Sequence, residues 1–119
     1  MKSTDTIKKN YEFRRLYNRG KNKVSPFLAL YAIEKKQGPR RLGITVSTKV
    51  GCAVIRNRVR RLIREAFRLN ESSFAETADI IVVARVRAKD ATYAQIEKSL
   101  LTLAEELGIK NEEDSSGTN

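Results

Sequence analysis

Residues 53 to 69 read Ala-Val-Ile-Arg-Asn-Arg-Val-Arg-Arg-Leu-Ile-Arg-Glu-Ala-Phe-Arg-Leu, six arginines and one asparagine in a single stretch. At about 100° per residue, Ile55, Val59, Leu62, Ile63 and Ala66 fall on one face of a helix. Asn57, Arg60, Arg61, Arg64 and Arg68 fall on the opposite face, with Arg56 and Arg58 at the borders. A guanidinium binds phosphate through two parallel N–H donors and stacks on bases. Such a helix can seat its apolar side in a core and turn the other side to a polyanion. Only Glu65 offsets the positive face, whereas a merely solvated helix mixes signs at i,i+4 spacing. An anionic membrane surface is the competing partner. It requires exposed Trp, Phe or Leu opposite the arginines, and that face here carries Val, Ile and Leu of core type.

Other chemistry is sparsely supplied. The chain has no His and one Cys, Cys52, so neither a His-based zinc site nor a Cys/His catalytic pair can be assembled. A two-metal nuclease needs clustered carboxylates, and the acids of the basic half are scattered: Asp5, Glu12, Glu34 and Glu65. No catalytic residue and no protein-held metal is therefore expected. A lone cysteine cannot form an intrachain bridge and fits a reducing cytoplasm. The opening MKSTDTIKKN has no apolar signal core, so secretion is not expected. No run of about eighteen apolar residues exists to span a membrane.

A chain of 119 residues suits one domain, 1–119. Its net charge of +10 is unevenly spread. Residues 1–68 hold 19 Lys and Arg against four Asp and Glu, and the remainder is net acidic. The first half is expected to carry the binding surface, and the second to be scaffold and acidic tail. A field of this size steers nucleic acid and makes binding fall steeply with salt.

The arginine helix must be held by the other elements. Residues 5–18 predict a first helix, capped by Thr4 or Asp5 and stopped by Gly20. Ile7, Tyr11, Phe13, Leu16 and Tyr17 give it apolar surface, interleaved with Lys8, Lys9, Arg14, Arg15 and Arg19. Residues 21–25 read as a polar loop. Residues 27–34 read as a strand, with helix as the alternative that Ala and Leu leave open, and 41–47 as a clear strand. In the second, Gly43, Thr45 and Ser47 share a small, polar side suited to an approaching ligand. Residues 79–86 are a β-branched run, predicting a central strand. Thr92-Tyr-Ala-Gln95 is a capping-box pattern. It opens a helix that buries Ile96, Leu100, Leu103 and Leu107 and stops at Gly108. Residues 111–119 are expected to be a disordered tail. The order is α-β-β-α-β-α: an α+β domain with a small mixed sheet and helices packed on one face. A parallel pairing of 41–47 with 79–86 across the arginine helix follows, right-handed by the general rule.

These residues resemble the protein subunit of bacterial ribonuclease P. The likeness is carried by Lys-Lys-Asn-x-x-Phe13-x-x-x-Tyr17-x-x-Gly20, Leu30-Tyr31, Arg41-Leu-Gly-Ile-Thr-Val-Ser-x-Lys-Val-Gly51 and Ala-Val-x-Arg56-Asn57-Arg58 with its flank, across about residues 7–107. It implies a ribonucleoprotein endoribonuclease that removes the 5′ leader from precursor tRNA. The chemistry then belongs to a catalytic RNA subunit and Mg²⁺ ions held mainly by that RNA. The implied partners are the RNA subunit and precursor tRNA, with no membrane and no obligate protein partner. The family's crossover at this helix is left-handed, against the general rule.

Two surfaces carry over by position. Arg56, Asn57, Arg58, Arg60, Arg61, Arg64 and Arg68, with Lys49, match the RNA-subunit contact. Phe13, Tyr17 and Tyr31, flanked by Lys9 and Arg14, match a cleft that holds the single-stranded leader, where aromatic rings stack on any base. Core packing is the competing role for Phe13 and Tyr31. Thr48 and Tyr17 depart from the Lys and Phe common in the family. A structural RNA-binding protein shares this charge and size but gives no reason for the aromatic set. A protein-only nuclease lacks its carboxylates.

Overall fold

The structure, a computed structural model, describes residues 4–110; the expectation for the tail at 111–119 lies outside them. Strand β5 (Ala78–Ala84) is the centre of a five-stranded sheet. Its order is β1 (Thr4–Thr6), β4 (Arg40–Thr45), β5, β3 (Leu28–Glu34), β2 (Lys21–Val24). β4 pairs parallel with β5, and β3 antiparallel. Helix α2 (Ala53–Leu69) makes the expected crossover between the parallel strands.

β5 ends two residues earlier than its β-branched run suggests, because the Arg85 amide bonds Phe27 O and the chain turns into a 3-10 segment, Val86–Asp90. A strand apolar on both faces needs cover on both, against the expected one-sided packing. The helices do not share one face of the sheet. α2 and α3 (Tyr93–Glu106) pack Val59, Ile63, Ala66, Phe67, Ile96, Leu100 and Leu103 against Leu28, Leu30, Leu42, Ile80 and Val82. On the other face, α1 (Asn10–Arg19) and Ile7 meet Ile81, with Phe13, Tyr31, Ile33 and Val83 around them.

Two further expectations change. Residues 4–6 are strand, and α1 begins only at Asn10 with Lys9 at its N-cap. β1 supplies the backbone partners that the free edge of β4 lacks, and the buried Arg40 donates to Thr4 Oγ1 at 3.0 Å. Residues 21–24 form edge strand β2, every residue exposed. Its lysines blunt an edge that a foreign strand could otherwise extend. The element order is thus β-α-β-β-β-α-β-α. The capping box is present as read: Gln95 N donates to Thr92 Oγ1 at 3.2 Å, and Thr92 N to Gln95 Oε1 at 2.9 Å. α3 buries Ile96, Leu100 and Leu103 as expected, Leu107 is buried at its C-cap, and Gly108 follows at a φ of 73° that favours glycine.

Candidate nucleic-acid interface

α2 divides its residues as its period predicts. Val59, Ile63 and Ala66 are buried, joined by Phe67, while Ile55 and Leu62 are half-buried. Asn57, Arg58, Arg61, Arg64 and Arg68 are exposed, and Arg56 and Arg60 half-exposed. The arginines are not equivalent. Arg56 donates to Gly51 O at 3.2 Å, and Arg60 to Asn57 Oδ1 at 2.9 Å. Arg68 pairs with Glu65. Arg58 reaches off the helix to two carbonyls, Lys89 O at 3.2 Å and Ala91 O at 3.0 Å. Among the described residues, Arg61 and Arg64 have no protein partner.

The helix start adds polar groups of its own. A 3-10 turn, Thr48–Val50, leads to Gly51, whose φ of 156° and contact with Ile55 disfavour a side chain: a Cβ there would lie 3.0 Å from Ile55. The Cys52 thiol lies below the ordinary thiol range, because the Ile55 and Val54 amides at the helix start favour the thiolate. Exposed Lys49 lines an open groove of about 680 Å³ with Ser47, Arg85 and Arg87. Arg85 and Arg87 were not anticipated: they belong to the half read as scaffold. Arg85 donates to Ser25 O at 2.8 Å, and the Arg87 guanidinium lies 5.6 Å from the Phe27 ring centroid. The Arg-Val-Arg-Ala-Lys run at 85–89 was the available signal.

The second surface is built by strand register. Gly43, Ile81, Tyr31 and Asn22 are aligned across four strands, and so are Thr45, Val83, Ala29 and Val24. α1 lies over the first row and leaves the second less covered: Thr45 and Val83 are half-buried and Val24 is exposed. Phe13, Tyr17 and Tyr31 form a chain of rings along the helix edge. Centroids are 6.4 Å apart for Phe13–Tyr17 and 4.9 Å for Tyr17–Tyr31, the latter edge to face. The hydroxyls of Tyr17 and Thr45 share a hydrogen bond of 3.2 Å. Phe13 and Tyr31 are half-buried, so each has one side in the core and the other open, and Tyr17 is exposed. Arg14 is exposed one turn before Tyr17, and Lys9, the N-cap of α1, stands over the Tyr11 ring at 5.8 Å.

No helix is long and apolar enough to cross a membrane among the described residues. The same residues contain no group of three His, Cys, Asp or Glu that could hold a metal ion.

The profile of the family described as Ribonuclease P matches residues 1–108. The ribonuclease P protein component of Clostridium novyi is 45% identical over 113 residues, 93% of this chain and 100% of that protein. Its counterpart from Clostridioides difficile is 44% identical, over 89% of this chain and 94% of the relative. The solved Staphylococcus aureus RNase P protein superposes with a TM-score of 0.80 at 40% identity, over 89% of this chain and 97% of that one. With the arginine helix and the aromatic-edged sheet both in place, the chain belongs to the ribonuclease P protein family, the protein component of an endoribonuclease that acts as a ribonucleoprotein.

Proposed function

We propose that this chain binds the RNA subunit along the arginine side of α2 and holds the single-stranded leader of precursor tRNA against the sheet beside α1. The observation that carries the leader assignment is the chain of three rings, Phe13, Tyr17 and Tyr31, beside a sheet row that α1 leaves partly open. Flat apolar faces flanked by cations suit a nucleic acid whose bases are unpaired and of any sequence. On α2, Arg61 and Arg64 are free to meet phosphate, with Arg68 and Arg60 beside them. Asn57 keeps its amide donors for a specific RNA group. Lys49 extends the contact from the preceding turn.

Cleavage itself is assigned to the RNA subunit, in the cytoplasm, with no obligate protein partner. Glu12 and Asp79 are engaged by Arg41 and Lys35, which leaves them poorly suited to Mg²⁺, and the metal is assigned to the RNA. This chain contributes binding and orientation of the substrate.

The test is reconstitution with a bacterial ribonuclease P RNA, comparing precursor with mature tRNA. Phe13→Ala and Tyr31→Ala should weaken precursor binding by about 1–3 kcal/mol each and leave mature tRNA nearly unaffected. Equal losses for both ligands would remove the leader from this cleft.

A further inference from the structure

α1 supplies two of the three rings of the proposed leader cleft, and apolar packing seats it mainly on β3 and β5, with Leu16 against Ile81. It buries one residue fully, Leu16, where α2 buries four and α3 five. Three of its side chains also reach across to three same-face positions of β4. Tyr17 bonds Thr45, Phe13 lies over Gly43, and Glu12 pairs with Arg41. Glu12 is the only charged residue of α1 that forms an ion pair with the sheet among the described residues.

The receiving end of that pair is rigid. Arg41 Nε and Nη2 donate to the two oxygens of Asp79 at 3.0 and 2.8 Å, and Nη1 donates to Glu12. Lys35 Nζ adds a second cation on Asp79 at 2.8 Å. Asp79 lies on central strand β5 with its side chain 8% exposed, and Arg41 and Glu12 are 25% and 18% exposed. A bidentate fork fixes the guanidinium plane before Glu12 arrives, so little side-chain freedom is lost when the third contact forms. This distinguishes the group from a surface pair, which contributes little.

We propose that Glu12 is a positioning residue: its contact with the Asp79-anchored Arg41 sets where α1 rests on β4, and thereby holds Phe13 and Tyr17 at the spacing from Tyr31 that accepts the leader. Glu12 acts through the rings and touches no RNA. The proposal rests on the leader reading above.

Glu12→Gln, assembled with a bacterial ribonuclease P RNA, should weaken precursor tRNA binding by about 3- to 10-fold, the range of a coupled contact. Mature tRNA binding should stay the same, as should affinity for the RNA subunit. Glu12→Asp keeps the charge and should recover part of the loss, and Glu12→Lys, which repels Arg41, should deepen it. In a Phe13→Ala/Tyr17→Ala background, Glu12→Gln should have almost no further effect, because the groups it places are gone. The proposal falls if Glu12→Gln leaves precursor binding intact while Phe13→Ala weakens it. It also falls if Glu12→Gln costs as much in the aromatic-free background as alone. Aromatic variants that show no leader dependence would sink the leader reading itself.

Discussion

The Phe13 ring lies so close over Gly43 that a Cβ on residue 43 would stand 2.8 Å from its Cε1 and Cζ. The glycine is required by this approach and not by its own backbone angle. Gly43→Ala should therefore push the ring off β4. The expected destabilisation is about 1–3 kcal/mol, with a loss of leader-dependent affinity. In a Phe13→Ala chain the same substitution should be nearly neutral. Thermal melts of the four chains check this; equal losses in both backgrounds would mean the ring is not what meets the new methyl.

The arginines of α2 should separate into two kinds. Arg58 bonds the carbonyls of Lys89 and Ala91 and so ties α2 to the segment after β5. Arg58→Ala should lower folding stability by about 0.5–1.5 kcal/mol, as two backbone acceptors lose their donor and water takes its place. Arg61→Ala with Arg64→Ala should leave the melt unchanged. Together they should flatten the dependence of log affinity for the RNA subunit on log salt by about 1.4 to 1.8 units. A full slope in that double variant would place the phosphate contacts elsewhere.

Asp79 gives the fold a dependence on acid. Burial alone would raise its carboxyl, but hydrogen bonds from Arg41 and Lys35 outweigh this and hold it below the ordinary range. A carboxyl lowered by folding contributes stability that is present above its unfolded value. That stability is lost as pH falls through the lowered one. Denaturant midpoints should therefore drop as pH is taken below about 4. Asp79→Asn should be less stable at pH 7, and the gap should narrow in acid. A gap that widens in acid would contradict the assignment.

Cys52 offers a probe of whether the start of α2 is docked on RNA. It is exposed at the start of α2, and its thiol sits below the usual range. Alkylation near neutral pH should outpace that of an unstructured cysteine peptide. Saturating RNA subunit should slow it if α2 is the contact. Labelling at the same rate with and without RNA would argue that the helix start faces away.

The features legible in the sequence are those written in short-range periods. The arginine side of α2, the capping box of Thr92 and Gln95, and the two-sided apolar run of β5 each lie within one element. Their burial follows from side-chain direction alone. The likeness grouped Phe13, Tyr17 and Tyr31 by position. Periodicity could not say that these rings meet.

Tertiary structure decided what depends on distant neighbours. β1 and β2 carry no apolar alternation, because an edge strand is specified by the partner whose free backbone groups it completes. α1 left the face of α2 and α3 because β5 is apolar on both sides and needed a second cover. Arg85 and Arg87 joined Lys49 because β5 ends beside the turn that opens α2. Arg58, at the border of the arginine side, reaches two carbonyls some thirty residues away. The Glu12–Arg41–Asp79 contact arises from three separate elements. Each outcome is a pairing across the fold, and such a pairing exists only once the sheet has set its register.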